Sequence, residues 1–148
     1  MSEYRASIVW QRGDRPFDYE SYSRDHTWTF EGQPPIEASA APEDLGTPER
    51  LDPEQALVAA AASCHMLTFL AIAARKRIVV DGYEDDATGT MEKNEEGRLA
   101  VTRIVLRPRI TFAGGPPAPD VLAKMHQQAH ENCFIANSVR TRIDVEAG

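Results

Sequence analysis

The stretch Asp52–Arg77, DPEQALVAAAASCHMLTFLAIAARKR, decides the architecture. Asp52 stands where a helix N-cap belongs, and Pro53 suits the first helical position because no donor is needed there. Glu54 places negative charge in the first turn, where the helix dipole favours it, and Arg75–Arg77 bring positive charge to the other end. Between them, Ala56–Ala74 is almost unbroken apolar sequence, long enough to cross a bilayer. Its many Ala residues and the polar Ser63, His65 and Thr68 at its middle argue against lipid. The stretch reads as a helix buried on all sides by protein. Small sheets from one chain offer too little cover for such a helix, so the sequence predicts an obligate homodimer.

Upstream, Arg5–Arg12 carries β-branched and aromatic residues and reads as a strand. Gly13–Ser21 reads as a loop. In Tyr22–Phe30, Tyr22, Arg24, His26, Trp28 and Phe30 alternate with smaller polar residues, a period of two that predicts a second strand. Ile36–Ala40 is a weaker third strand. Downstream, Val79–Met91 and Leu99–Phe112 read as a hairpin closed at Asn94–Gly97. Pro108 lacks a donor and predicts an edge position or a bulge. Gly114–Pro117 breaks the chain, and Pro119 opens a second helix to about Asn132, with Leu122, Met125, Ala129 and Cys133 on its apolar stripe. Arg140–Glu146 reads as a last strand. The order βββ-α-ββ-α-β places the chain in the α+β class, a long buried central helix packed on antiparallel sheet.

The chain has 148 residues, which suits one domain over residues 1–148, and 42% of them are hydrophobic, enough for a core. A net charge of −7 with scattered Lys and Arg argues against nucleic acid as a partner. No apolar segment follows Met1–Arg5, so no signal peptide is expected and the protein reads as cytoplasmic, without a membrane partner. Two cysteines are too few for a secreted disulfide scaffold.

Those cysteines are the residues most able to carry chemistry. Cys64 lies mid-helix between Ser63 and His65, where a free thiol equally packs as a small hydrophobe. Reactivity there needs a thiolate, hence a cation from elsewhere in the fold. Cys133 ends the second helix in HENCFIANS and carries the same two readings. A third reading is a metal site: His126, His130 and Cys133 share one helical stripe, and Cys64 or His65 could complete four ligands. His26 and His65 otherwise read as partly buried polar packers, with His126 and His130 at the border of the apolar stripe.

The two cysteine segments, DPEQALVAAAASCHM and HENCFIANS, resemble the paired signatures of the OsmC/Ohr family (osmotically inducible protein C and organic hydroperoxide resistance protein). They occur in the family's order, and the resemblance covers nearly the whole chain. It implies an intertwined homodimer that reduces organic hydroperoxides, and hydrogen peroxide less well. By that resemblance Cys64 is the peroxidatic thiol and Cys133 the resolving thiol. They would pass through a Cys64 sulfenic acid to a Cys64–Cys133 disulfide, which an external dithiol, such as a lipoyl group, reduces. Glu54 matches the family's motif glutamate. Arg24 is the match for the arginine that stabilises the thiolate, with Arg15 and Arg50 as alternatives, and Glu54 would hold it in a bidentate pair. This chemistry uses no cofactor and no metal. The sequence departs from the family at Phe134, where proline is frequent, and His65 has no role the resemblance explains. On one continuous helix Glu54 and Cys64 lie about 15 Å apart and about 80° apart around the axis. Either the helix breaks between them, or Glu54 serves the site of a partner subunit.

Overall fold

The long helix forms as its ends require. In the computed structural model, which describes residues 1–147, α1 runs unbroken over Pro53–Arg75. The Asp52 carboxylate accepts the Gln55 N–H at 2.8 Å, and the Gln55 amide oxygen accepts the Asp52 N–H at 3.1 Å, a reciprocal box that satisfies two orphan donors. At the other end the Ile78 N–H reaches Ala73 O at 2.9 Å and the Arg77 N–H reaches Ala74 O at 3.0 Å. That closure puts Arg77 in the left-handed region, φ +59°, where glycine is usual. Arg77→Gly should therefore raise the unfolding free energy by about 1 kcal/mol, read from urea midpoints. Equal or lower stability would contradict this account of the helix end.

The chain packs as two units, Met1–Ala56 and a second beginning at Leu57. The first is a three-stranded antiparallel sheet in the order β1 (Ser7–Val9), β2 (His26–Thr29), β3 (Ile36–Ala38), with Ile8 opposite Trp28 and Trp28 opposite Ile36. These strands are shorter than the sequence predicts, since Tyr22–Asp25 precede β2 as loop. The segment after β3 folds back on Ser39, whose hydroxyl accepts the Thr47 N–H at 3.1 Å. Gly46 is required there, because a Cβ would stand 1.6 Å from the Ala40 carbonyl oxygen. Thr47 and Arg50 then both engage Asp25, at 2.6 and 3.4 Å.

In the second unit β4 (Val80–Asp85) pairs with β7 (Pro108–Phe112), while β5 (Thr88–Lys93), β6 (Leu99–Leu106) and β8 (Arg142–Val145) form another sheet in that order. The pairings are antiparallel except β6 with β8, which is parallel. The expected two-strand hairpin is thus four strands, and the described order becomes βββ-α-ββββ-α-β. The break has a cause. Pro108 cannot donate, and the Arg107 N–H turns to the Asp85 carboxylate at 2.7 Å, so a side chain replaces the ladder there. The turn at Asn94–Gly97 forms as expected, with Asn94 Oδ1 accepting from Glu96 and Arg98 and Gly97 at φ +77°.

Two apolar clusters organise this unit. One joins Ala61 to Ile104, Leu106 and Ile143 on β6 and β8. The other joins Phe69 and Ala73 to Met125 and Ala129 of α2 (Pro119–Glu131), with Ile110 and Phe112 beside them. Of α1, only Ala61, His65, Phe69 and Ala73 are buried, one stripe at a spacing of four. Within a single chain the sheets and α2 cover one face of the helix, and Leu67 on another is 61% exposed, which leaves to a partner the cover that the sequence assigns to it.

Candidate active site

α1 and the turn after α2 bring the two cysteines of the second unit together. Cys64 is half-buried on α1 and Cys133 is buried two residues past α2, and both are free thiols. Burial pushes the Cys133 thiol up, and the Cys64 thiol lying against it pushes the same way. The N–H groups of Ala136 and Ile135 oppose this, the first lying 3.4 Å from Sγ. The turn itself is pinned by Asn137 N–H to Cys133 O at 3.0 Å and by the Ser138 hydroxyl to Phe134 O at 2.6 Å. Phe134, where the family often has proline, is 78% exposed. The accessible thiol is therefore Cys64, with Cys133 behind it in the core.

One arrangement the sequence did not suggest lies on the same two helices. His65 and His126 are buried, their rings are parallel, and Nε2 of His65 lies 3.0 Å from Nδ1 of His126. His126 stacks in turn on Phe69, with centroids 4.6 Å apart. Burial pushes His65 down to about 4, helped by the neighbouring His126 and His130, and burial also lowers His126. So His126 sits inside the core rather than at its border. The metal reading is corrected with it: the facing nitrogens of His65 and His126 are spent on each other. Among the described residues no group of three His, Cys, Asp or Glu side chains is arranged to hold a metal ion.

Arg24 and Glu54 belong to the first unit, where both line a cavity of about 530 Å³ walled by Trp10, Phe17 and Tyr22. The three rings pack with centroids 5.1 to 6.3 Å apart. Arg24 donates to the carbonyls of Tyr22 and Tyr19 at 2.7 and 2.6 Å and lies 3.6 Å over the Tyr22 ring. Within one chain Arg24 makes no bidentate pair with Glu54; carbonyl oxygens and tyrosine rings hold the guanidinium there. Burial pushes the Glu54 carboxyl up, and the carboxylates of Asp52 and Asp44 add to the shift against the pull of its own backbone N–H. Arg50 is engaged by Asp25, and the Arg15 carbonyl accepts from Arg12 at 3.0 Å. Behind the cavity wall, the Trp10 indole N–H donates to Ser23 O at 2.7 Å. The Trp28 indole N–H donates to His26 Nε2 at 2.9 Å. Since indole only donates, His26 carries its proton on Nδ1, which donates to the Arg24 carbonyl at 2.8 Å. The aromatic wall could not be read from strand alternation, because Trp10, Phe17 and Tyr22 come from irregular segments.

Comparison with known proteins adds the lineage. The sequence profile of the OsmC-like proteins matches residues 46–148. An OsmC-like protein of unknown function from Vibrio cholerae is 48% identical over all of both chains, with a TM-score of 0.94. An organic hydroperoxide resistance protein from Legionella pneumophila shares 18% identity over 99% of this chain and 97% of its own, with a TM-score of 0.68. One from Elizabethkingia anophelis, with crystallant-derived thiocyanate bound, shares 16% over 99% and 95%, with a TM-score of 0.71. At those identities the last two share the fold alone. No curated protein matches the sequence. With its profile match and this near-complete structural likeness, the chain belongs to the OsmC-like family.

Proposed function

We propose that the protein is a thiol-dependent peroxidase acting on organic hydroperoxides, and less well on hydrogen peroxide. The observation that carries this reading is the contact of two free thiols of unequal exposure, Cys64 half-buried and Cys133 buried behind it. The Cys64 thiolate attacks the outer peroxide oxygen, the O–O bond breaks, and the alkoxide leaves as the alcohol after taking a proton. Cys64 is now a sulfenic acid. The Cys133 sulfur displaces its hydroxyl, which leaves as water, and the disulfide forms. An external dithiol, of the lipoyl kind among others, reduces that disulfide by two exchange steps and is itself oxidised.

The aromatic cavity of the first unit suits the organic part of such a substrate, and Arg24 retains N–H groups for its oxygens. Because α1 is unbroken, the contribution of Glu54 and Arg24 is proposed across the interface of a homodimer. The exposed apolar side of α1 supports that assembly. The proposed setting is the cytoplasm, where both thiols return to the reduced state. The test is turnover of cumene hydroperoxide with a dithiol, together with mass analysis after one equivalent of peroxide. Loss of two hydrogen atoms per chain is expected; unchanged mass and no turnover would end the proposal.

Arg24→Ala should slow the attack on cumene hydroperoxide by on the order of tenfold or more, the worth of one charge-assisted hydrogen bond. Arg24→Lys should rescue little, because an ammonium cannot serve two carbonyls and a ring face as the planar fork does. Full activity in both variants would remove Arg24 and turn attention to Arg15 or Arg50.

A further inference from the structure

A second cavity, of about 390 Å³, lies in the second unit between β7 and α2, and neither cysteine lines it. Its walls are mostly apolar, built by Pro108, Ile110, Phe112, Pro116 and Leu122, and two polar side chains, Thr111 and His126, lie among them. His126 is 5% exposed. Its Nδ1 is taken by His65, while its Nε2, on the opposite side of the ring, has no hydrogen-bond partner among the described residues.

The proton on that nitrogen can be assigned. The other ring nitrogen of His65, Nδ1, is buried without a partner. A buried orphan N–H is costlier and rarer than an orphan acceptor, so His65 carries its proton on Nε2 and donates it to Nδ1 of His126. Nδ1 of His126 is therefore the acceptor, and its own proton is on Nε2. The stacking on Phe69 and the bond to His65 hold the ring in place, so this N–H is a fixed donor in an apolar wall.

We propose that this cavity binds a neutral aliphatic molecule carrying a single oxygen acceptor, of the alcohol or ketone class, with its oxygen on Nε2–H of His126. The volume falls within the range of small-ligand sites, and few convergent polar groups in an apolar pocket is their usual build. A neutral ligand follows from the walls: His126 is the one titratable group among the described lining residues, and burial keeps it uncharged. A carboxylate would enter without a cation to meet it, which desolvation forbids at useful affinity.

The test uses the intact protein and heptan-2-one as probe, following the histidine ring nitrogens by NMR. A saturable shift of His126 Nε2 is expected. His126→Phe keeps the aromatic contact with Phe69 and loses the donor, and should weaken binding by about tenfold or more. Leu122→Trp fills the cavity and should abolish binding while leaving His126 paired with His65. Hexanoate at neutral pH should not compete. The proposal is overturned if His126 Nε2 does not move, if His126→Phe or Leu122→Trp binds the ketone as wild type does, or if hexanoate binds as well. Should His126→Phe fail to fold, the wild-type shift and Leu122→Trp decide the matter alone.

Discussion

Under the proposed peroxidase mechanism, Cys64→Ser should lower turnover by on the order of a thousandfold or more, because no other described group of the second unit offers a comparably exposed thiol. Cys133→Ser behaves differently. It should keep the first attack at near the wild-type rate and stop at a Cys64 sulfenic acid, read as a gain of one oxygen in mass and trapped by a carbon nucleophile. Multiple turnover then depends on the external thiol reaching Cys64 directly. The asymmetry follows from burial: Cys133 is 1% exposed and cannot meet a bulky peroxide, whereas Cys64 is only half-buried. Equal residual turnover in the two variants would dissolve the assignment of roles.

The second large effect is acid destabilisation. His65 has an ordinary value of 6.5 when unfolded and about 4 when folded. A base whose folded value is lowered is protonated first in the unfolded chain, so stability falls as pH drops through 6.5 and continues to fall to about pH 4. At 1.36 kcal/mol per pH unit this costs about 2 kcal/mol by pH 5 and about 3 kcal/mol by pH 4, with His126 adding in the same direction. Most carboxylates titrate below pH 5, so the upper part of the window belongs to the histidines. Urea unfolding at pH 7, 6 and 5 should show the slope, and His65→Phe should flatten it. A wild-type stability constant from pH 7 to pH 5 would refute the buried neutral pair.

The fold was legible where local chemistry decides structure. Asp52, Pro53 and Glu54 mark the start of α1 whatever surrounds them, and Asn94 with Gly97 specify a turn. It was less legible where a distant side chain replaces a local bond. The Asp85 carboxylate that accepts the Arg107 N–H splits the hairpin, and nothing in the strand pattern marks Asp85 for that role. The same holds for Arg77, which ends a helix in a conformation that glycine would announce. At the site, periodicity placed Met125 and Ala129 in the core. It left His126 at the edge, because a histidine's burial depends on a partner that only tertiary structure supplies, here His65. The cysteine pairing came from resemblance, since residues 69 positions apart carry no local signal of contact. The pairing of Arg24 with Glu54 rests on resemblance, and no local pattern announces that backbone carbonyls and tyrosine rings hold it within one chain.

The position of the indoles has an optical consequence. Both tryptophans of the chain, Trp10 and Trp28, belong to the unit ending at Ala56. Tryptophan emission therefore watches that unit directly, and not the one holding both thiols and the buried imidazole pair. The acid experiment must accordingly be followed by far-ultraviolet circular dichroism, whose signal α1 and α2 dominate. Agreement between the two optical transitions at neutral pH would then measure something separate, namely whether the two units melt as one cooperative system.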